Sequence, residues 1–100
     1  MTRLGSKQPY EAYYVSFNFA NLIGSSSIAT AAVIVTDSSG ATCTTAITTV
    51  ANQTMATSTV NIWIKGGVSG SEYQLSCKIT TNAAPQERYE LDAILPVEEL

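Results

Sequence analysis

The sequence contains no histidine, and only 13% of its 100 residues are charged. The chain therefore lacks the commonest general base and the commonest transition-metal ligand, and a Ser-His-Asp or Cys-His arrangement is impossible within it. Glu90 and Asp92 share one face of a predicted strand, and a two-carboxylate hydrolase needs such groups in a cleft. We interpret them as a solvated face, and we predict no catalytic residue, no metal site, no cofactor and no enzymatic activity.

Basic residues and long apolar runs are also scarce. Lys and Arg together number 5, the net charge is −3, and no basic cluster exists that would neutralise phosphates. The longest apolar run, IATAAVIV at residues 28–35, is too short to span a bilayer and contains Thr30. The N-terminus has no apolar signal segment. We expect a chain made in the cytoplasm that binds neither nucleic acid nor membrane.

Two cysteines are present, Cys43 and Cys77, and their spacing fits no metal motif. They form one disulfide if they face each other across the fold. In a reducing cytoplasm, two buried thiols are the favoured alternative.

Short segments with alternating apolar residues fill most of the chain. Their ranges are 12–19, 57–65, 72–81 and 87–95, with the apolar run 28–35 between the first two. Alternation with period two indicates half-buried strands, whereas 28–35 is apolar on both faces near its end and is predicted to be central. The pattern in residues 41–56 is weaker and fits two short strands, or one strand and a loop; a helix is the third alternative, which the high threonine content disfavours. The whole is predicted to be all-β: one domain over 1–100, an immunoglobulin-like antiparallel β-sandwich of about seven strands with short terminal arms.

A glycine-rich bend, KGGVSGSEY, joins two of these predicted strands. Gly66, Gly67 and Gly70 supply the positive φ angles that a wide corner between two sheets requires. Tyr73 is placed where immunoglobulin-like sandwiches carry a tyrosine whose hydroxyl bonds back to the preceding loop. The bend lacks the order of a phosphate-binding loop and precedes a strand instead of a helix. We interpret it as a structural corner in preference to a ligand loop.

Aromatic and terminal residues supply the candidate partner contacts. Trp63 points away from the inward face of its own predicted strand, and exposed aromatic side chains commonly anchor contacts with proteins and sugars. Burial of both faces of these strands within a small sandwich is an equally favoured alternative. Residues 1–14 and 94–100 have no obvious core to enter, so we predict two contact arms. The candidate partner-binding residues are Arg3, Leu4, Tyr10, Tyr13, Tyr14, Pro96 and Val97.

Several short motifs resemble a family of small tailed-bacteriophage proteins. These are Lys7-x-Pro9, Phe17-x-Phe19, Ile28-Ala29, the block WIKGGVSGSEY, and Ile79-Thr80-Thr81 before an acidic last strand. The family comprises fiber–tail adaptors and related neck and tail structural proteins, and the likeness runs from about residue 7 to residue 92. It implies a non-enzymatic virion component, bound in several symmetric copies to other tail, neck or fiber proteins. The shared motifs are structural, so the resemblance assigns no functional residue.

Two other functions remain open at this point. One is a glycan- or receptor-binding module that uses Trp63 and nearby tyrosines. The other is a capsid decoration protein, which differs from an adaptor in its position on the particle.

Overall fold

The computed structural model describes residues 2–99 and consists mainly of strands. In chain order its elements are β1 (Thr2–Arg3), β2 (Tyr13–Asn18), α1 (Ala20–Ile23), β3 (Ile28–Thr36), α2 (Thr44–Ile47), a 3₁₀ turn (Val50–Asn52), β4 (Thr54–Met55), β5 (Thr59–Ile64), β6 (Ser71–Thr81) and β7 (Arg88–Val97). The predicted all-β class is confirmed.

The strands form two sheets with a shared apolar core. One sheet has four strands in the order β1-β7-β6-β3, and the other has three in the order β2-β5-β4. All neighbouring strands are antiparallel except β1 and β7, which are parallel. β5 belongs to the three-stranded sheet and β6 to the four-stranded sheet, so the glycine-rich bend is the passage from one sheet to the other.

The alternation in sequence determines which side chains fill the space between the sheets. In β5, Val60, Ile62 and Ile64 are at most 1% exposed. In β6, the buried residues are Tyr73, Leu75, Cys77, Ile79 and Thr81. Because successive side chains in a strand point to opposite faces, burial of one face produces this period of two. The predicted inward faces of these strands are confirmed.

The position of β3 differs from the prediction. β3 was expected to be central, but it is an edge strand: β6 is the only named strand of residues 2–99 that pairs with it, and Ile34 is 40% exposed. A continuous apolar run shows that both faces have apolar residues, but it contains no information about the number of neighbouring strands.

Residues 41–56 contain two short helical turns and a two-residue strand, so the disfavoured helical alternative is correct for part of this segment. Ile47 at the end of α2 is 1% exposed and enters the core. The Thr44 hydroxyl accepts a hydrogen bond from the backbone N–H of Val35 at 3.1 Å. These tertiary contacts outweigh the weak helix propensity of threonine.

Candidate functional site

The glycine-rich bend adopts backbone conformations that favour glycine. Gly66, Gly67 and Gly70 have φ angles of +61°, +99° and +86°. A Cβ atom on Gly67 would lie 2.8 Å from Cγ2 of Val97, and one on Gly66 would lie 3.1 Å from the carbonyl oxygen of Ala46. At these two positions the missing side chain therefore also makes room for neighbouring elements.

Tyr73 is buried under the bend, with 6% of its surface exposed. Its hydroxyl accepts a hydrogen bond from the backbone N–H of Val68 at 3.0 Å. The tyrosine thus connects the start of β6 to the preceding loop, in the arrangement that the spacing suggested.

We expect Tyr73→Phe to lower the free energy of unfolding by about 1–2 kcal/mol, because the N–H of Val68 loses its acceptor while the ring stays packed. Urea unfolding followed by Trp63 fluorescence measures this change. Tyr89→Phe is the matched control, because the Tyr89 hydroxyl donates its hydrogen bond to the exposed Glu87 carboxylate. Equal stability of the two variants would show that the Tyr73 hydroxyl contributes nothing to the corner.

Lys7 is a component of the corner that sequence reasoning did not identify. Its side chain is completely buried, and its Nζ donates to the carbonyl oxygens of Gly66 at 2.6 Å and Gln8 at 2.8 Å. Burial lowers the pKa of this amine, and the negative charge of Glu11 opposes the shift. The Lys7-x-Pro9 motif was the available signal, but a lysine is usually exposed.

The C-terminal residues Pro96 and Val97 do not form a free arm, and that prediction is wrong. Both belong to β7 and are buried. The carbonyl oxygen of Val97 accepts the N–H of Gly70 at 2.8 Å. The side chains of Val97 and Tyr73 also occupy the space next to Gly67 that a Cβ atom on this residue would need. Pro96 and Val97 are buried because β7 extends two residues beyond the predicted strand 87–95.

The N-terminal segment is likewise attached to the sheet. Arg3 is exposed and forms an ion pair with Glu72. Leu4 is half-buried against the core, and its N–H donates to the carbonyl oxygen of Ile94 at 2.8 Å. Lys7 N–H donates to the carbonyl oxygen of Pro96 at 2.9 Å. Residues 2–7 therefore continue along β7 and bring both predicted arms to the glycine-rich corner.

The remaining aromatic candidates divide between the core and the surface. Tyr13 is partly buried and packs against the core, whereas Tyr10 is 98% exposed. Tyr14 is 50% exposed, and its ring meets that of Trp63 edge-on, with 4.9 Å between centroids. The Tyr14 hydroxyl also donates to the carbonyl oxygen of Asn52 at 3.0 Å. Tyr14 and Trp63 form an aromatic pair on the outer face of the three-stranded sheet.

Cys43 and Cys77 are both free thiols. Cys77 is completely buried, and desolvation raises its pKa to about 12. The smaller burial of Cys43 also raises the pKa of its thiol. Both shifts favour the protonated thiol, which is a poor nucleophile.

The carboxylates form no metal-binding group within residues 2–99. On β7, the pKa of the exposed Glu90 is raised, mainly by a hydrogen bond with Asp92. The positive charge of Lys78, whose Nζ lies 3.9 Å from Oε1 of Glu90, lowers this pKa and so opposes the shift. Across the same described range, no helix is long and apolar enough to cross a membrane.

Taken together, two sheets, a glycine-rich corner and attached termini define a small β-sandwich with an aromatic pair on its outer surface. Residues 7–95 match the model of the family described as "Podophage GP4 fiber-tail adaptor protein gp77", and the chain belongs to this family. The resemblance inferred from the sequence motifs is confirmed. The chain is a bacteriophage structural adaptor and a component of the virion. No curated protein and no solved structure matches it.

Proposed function

We propose that this protein joins the tail of a bacteriophage to its fibers, as a non-enzymatic adaptor present in several symmetric copies. The observation that carries the proposal is the family match over residues 7–95. In this proposal the chain is made in the host cytoplasm and binds tail, neck or fiber proteins, with no role for nucleic acid or membrane.

The proposed architecture is one immunoglobulin-like domain. Two features support it: the two-sheet arrangement and the hydrogen bond between the Tyr73 hydroxyl and the loop before β6. Such a domain is a rigid spacer whose outer faces and strand edges are available to neighbouring subunits.

The outer aromatic pair is the proposed contact with one neighbour. Tyr14 and Trp63 lie opposite each other on β2 and β5, and their mutual packing holds both rings in place. A preformed aromatic pair loses little side-chain entropy on binding, and Tyr and Trp are the residue types that most often dominate interface energies. The fully exposed Tyr10 adds a second aromatic contact from the N-terminal segment.

Aromatic truncation tests this contact. We expect Trp63→Ala and Tyr14→Ala each to weaken binding to the neighbouring tail or fiber protein by about 30-fold, the effect of losing one dominant interface residue. Biolayer interferometry with each purified neighbour measures the affinity, after circular dichroism has shown that the variants are folded. Val68→Ala is the control, since Val68 is 66% exposed but lies in the glycine-rich bend.

Three results would contradict the proposal. The first is wild-type protein that binds neither neighbour. The second is a glycan array signal that depends on Trp63, which would favour the glycan-binding alternative. The third is antibody labelling of particles over the capsid shell instead of the tail, which would favour a decoration protein.

A further inference from the structure

The last strand, β7, is paired along most of its length on one side and only in part on the other. β6 pairs with it from Arg88 to Val97. On the opposite side, the segment that accompanies β7 starts with Thr2, which lies opposite Ala93, and continues toward Val97. Within residues 2–99, no strand therefore lies beside residues 88–92 on this side, and these residues are named the β7 edge.

The backbone groups of the β7 edge are oriented to receive another strand. On the side of β1, the carbonyl oxygen of Ile94 accepts the N–H of Leu4 at 2.8 Å. The register between β6 and β7 is continuous, and the backbone groups of alternate residues in an antiparallel ladder point to the same side. The N–H and C=O groups of Glu90 and Asp92 therefore also point to the side of β1, where a further strand could pair with them.

An apolar groove of about 300 Å³ lies on the inner side of this edge. Leu91 of β7 and Leu4 line it from the four-stranded sheet, and Val15 and Phe17 of β2 line it from the other sheet. Leu91 points inward because it lies two residues before the buried Ala93. A strand beside the β7 edge would direct every second side chain toward this groove, so apolar residues are favoured at those positions.

The outer face of the same edge has two neighbouring carboxyl groups. Glu90 and Asp92 share a hydrogen bond, which requires that one of the two groups holds a proton. On β6, the residue opposite Glu90 is Lys78, whereas the residue opposite Asp92 is the neutral Ser76. The Oδ1 atom of Asp92 is buried and has no hydrogen-bond partner within residues 2–99. A cationic donor satisfies such an oxygen atom best.

The arginines of this face are placed less well than a neighbouring strand to supply that donor. Arg3 of β1 lies opposite Ile94, but its guanidinium forms an ion pair with Glu72. Arg88 is four residues before Asp92, a separation of about 13 Å along a strand. A strand added at the β7 edge would instead place a side chain directly beside Asp92, at the short distance of a cross-strand pair.

We propose that the β7 edge docks an extended segment of a partner protein in which apolar and basic residues alternate. The segment adds to the four-stranded sheet in line with β1. Its apolar side chains enter the groove, and a lysine or arginine side chain reaches Asp92 on the outer face. The inference deepens the proposed adaptor function and rests on it.

A second copy of this chain fits the β7 edge less well than a basic partner. Pairing of the same edge in two copies would bring Glu90 and Asp92 of one copy against those of the other, and like charges across a strand pair are destabilising. Each copy also has a net charge of −3.

Glu90 allows the edge to be tested without disturbing the ladder to β6, because its N–H points away from that strand. Glu90→Gln removes the negative charge, whereas Glu90→Pro removes the charge and the N–H. We expect Glu90→Pro to bind the purified tail or fiber partner at least about tenfold more weakly than Glu90→Gln, because a ladder hydrogen bond is lost and the ring obstructs the added strand. Biolayer interferometry measures the affinities, and circular dichroism checks that both variants fold.

Asp92→Asn tests the basic part of the segment. We expect about tenfold weaker binding of the same partner and a smaller dependence of the affinity on salt. Glu98→Gln is the matched control, since Glu98 is exposed and lies beyond the last residue of β7, and it should leave both quantities unchanged. An Asp92→Asn variant that binds as the wild type does would contradict the proposed cation, whether or not Glu90→Pro folds.

A library of random displayed peptides provides a test that does not need the natural partner. Peptides are selected on the wild-type protein and counter-selected on Glu90→Pro. We expect the selected peptides to alternate apolar residues with lysine or arginine, and to shift the backbone amide resonances of Glu90 and Asp92 in the spectrum of the labelled protein.

The outcomes separate this inference from the adaptor function. If the wild-type protein binds its neighbours but Glu90→Pro equals Glu90→Gln, the adaptor function stands and the docking edge is wrong. If it binds neither neighbour, the adaptor function is wrong, and selection of basic alternating peptides that require the Glu90 N–H still supports the edge. Selection of no such peptide overturns it. Dimerisation that Glu90→Pro abolishes would make a second copy the occupant and overturn the proposed partner.

Discussion

Gly67→Ala is expected to lower the free energy of unfolding by about 2–4 kcal/mol, which is a large share of the stability of a domain of this size. Two costs add at this position. The φ angle of +99° disfavours any residue with a Cβ atom, and that atom would lie 2.8 Å from Cγ2 of Val97. Urea unfolding followed by Trp63 fluorescence measures the change.

Two other glycines separate these costs. Gly70 has a φ of +86° with open space around it, so Gly70→Ala reports the backbone cost alone, which we expect to be about 1–2 kcal/mol. Gly5 has neither a positive φ nor a close neighbour, so Gly5→Ala should change the stability by less than about 0.5 kcal/mol. A Gly67→Ala variant no less stable than Gly70→Ala would show that Val97 moves aside without cost.

Lys7→Met is expected to lower the free energy of unfolding by about 2–3 kcal/mol, since the carbonyl oxygens of Gly66 and Gln8 lose a charged donor. Methionine preserves most of the apolar stem, so the comparison isolates the amine. Lys78→Met, in which an exposed lysine near Glu90 is lost, should change the stability by less than about 0.5 kcal/mol. Unchanged or increased stability of Lys7→Met would mean that the cost of burying the ammonium cancels its hydrogen bonds.

The pH dependence gives this prediction a second measurement. Burial lowers the folded-state pKa of Lys7 below its ordinary value of 10.5. Between the two pKa values the unfolded chain binds more protons than the folded chain, so the contribution of Lys7 to stability rises with pH in that interval. The difference in stability between wild type and Lys7→Met should therefore increase as the pH approaches 10.5 from below. A difference that decreases in this interval would contradict the direction of the shift.

These two positions belong to one connected structure. Lys7 of the N-terminal segment holds Gly66, Val97 of the last strand bonds Gly70, and Tyr73 holds Val68. The bend between the sheets is thereby tied to both ends of the described chain.

Local patterns were sufficient for the fold class and the corner. Alternation with period two in 57–65 and 72–81 predicted which side chains are buried, because the period is a property of each strand alone. The bend was predictable for a similar reason: glycine is the residue that adopts positive φ without strain, and three occur within five residues. The same motifs, combined with Lys7-x-Pro9, indicated the family that the match over residues 7–95 confirms.

The tertiary structure decided what depends on partners distant in the chain. Whether 28–35 is central or at an edge depends on how many strands pair with it, and among the strands of the described residues β6 alone does so. Pro96 and Val97 resembled a free tail until residues 2–7 and β6 were placed on either side of them. Lys7 is the strongest case: a lysine is expected to be exposed, yet this side chain is buried and its amine donates to two backbone carbonyl oxygens. The sequence by itself determined the longer strands and the glycine-rich bend, whereas strand pairing, sheet edges and the burial of a charge arise from long-range contacts.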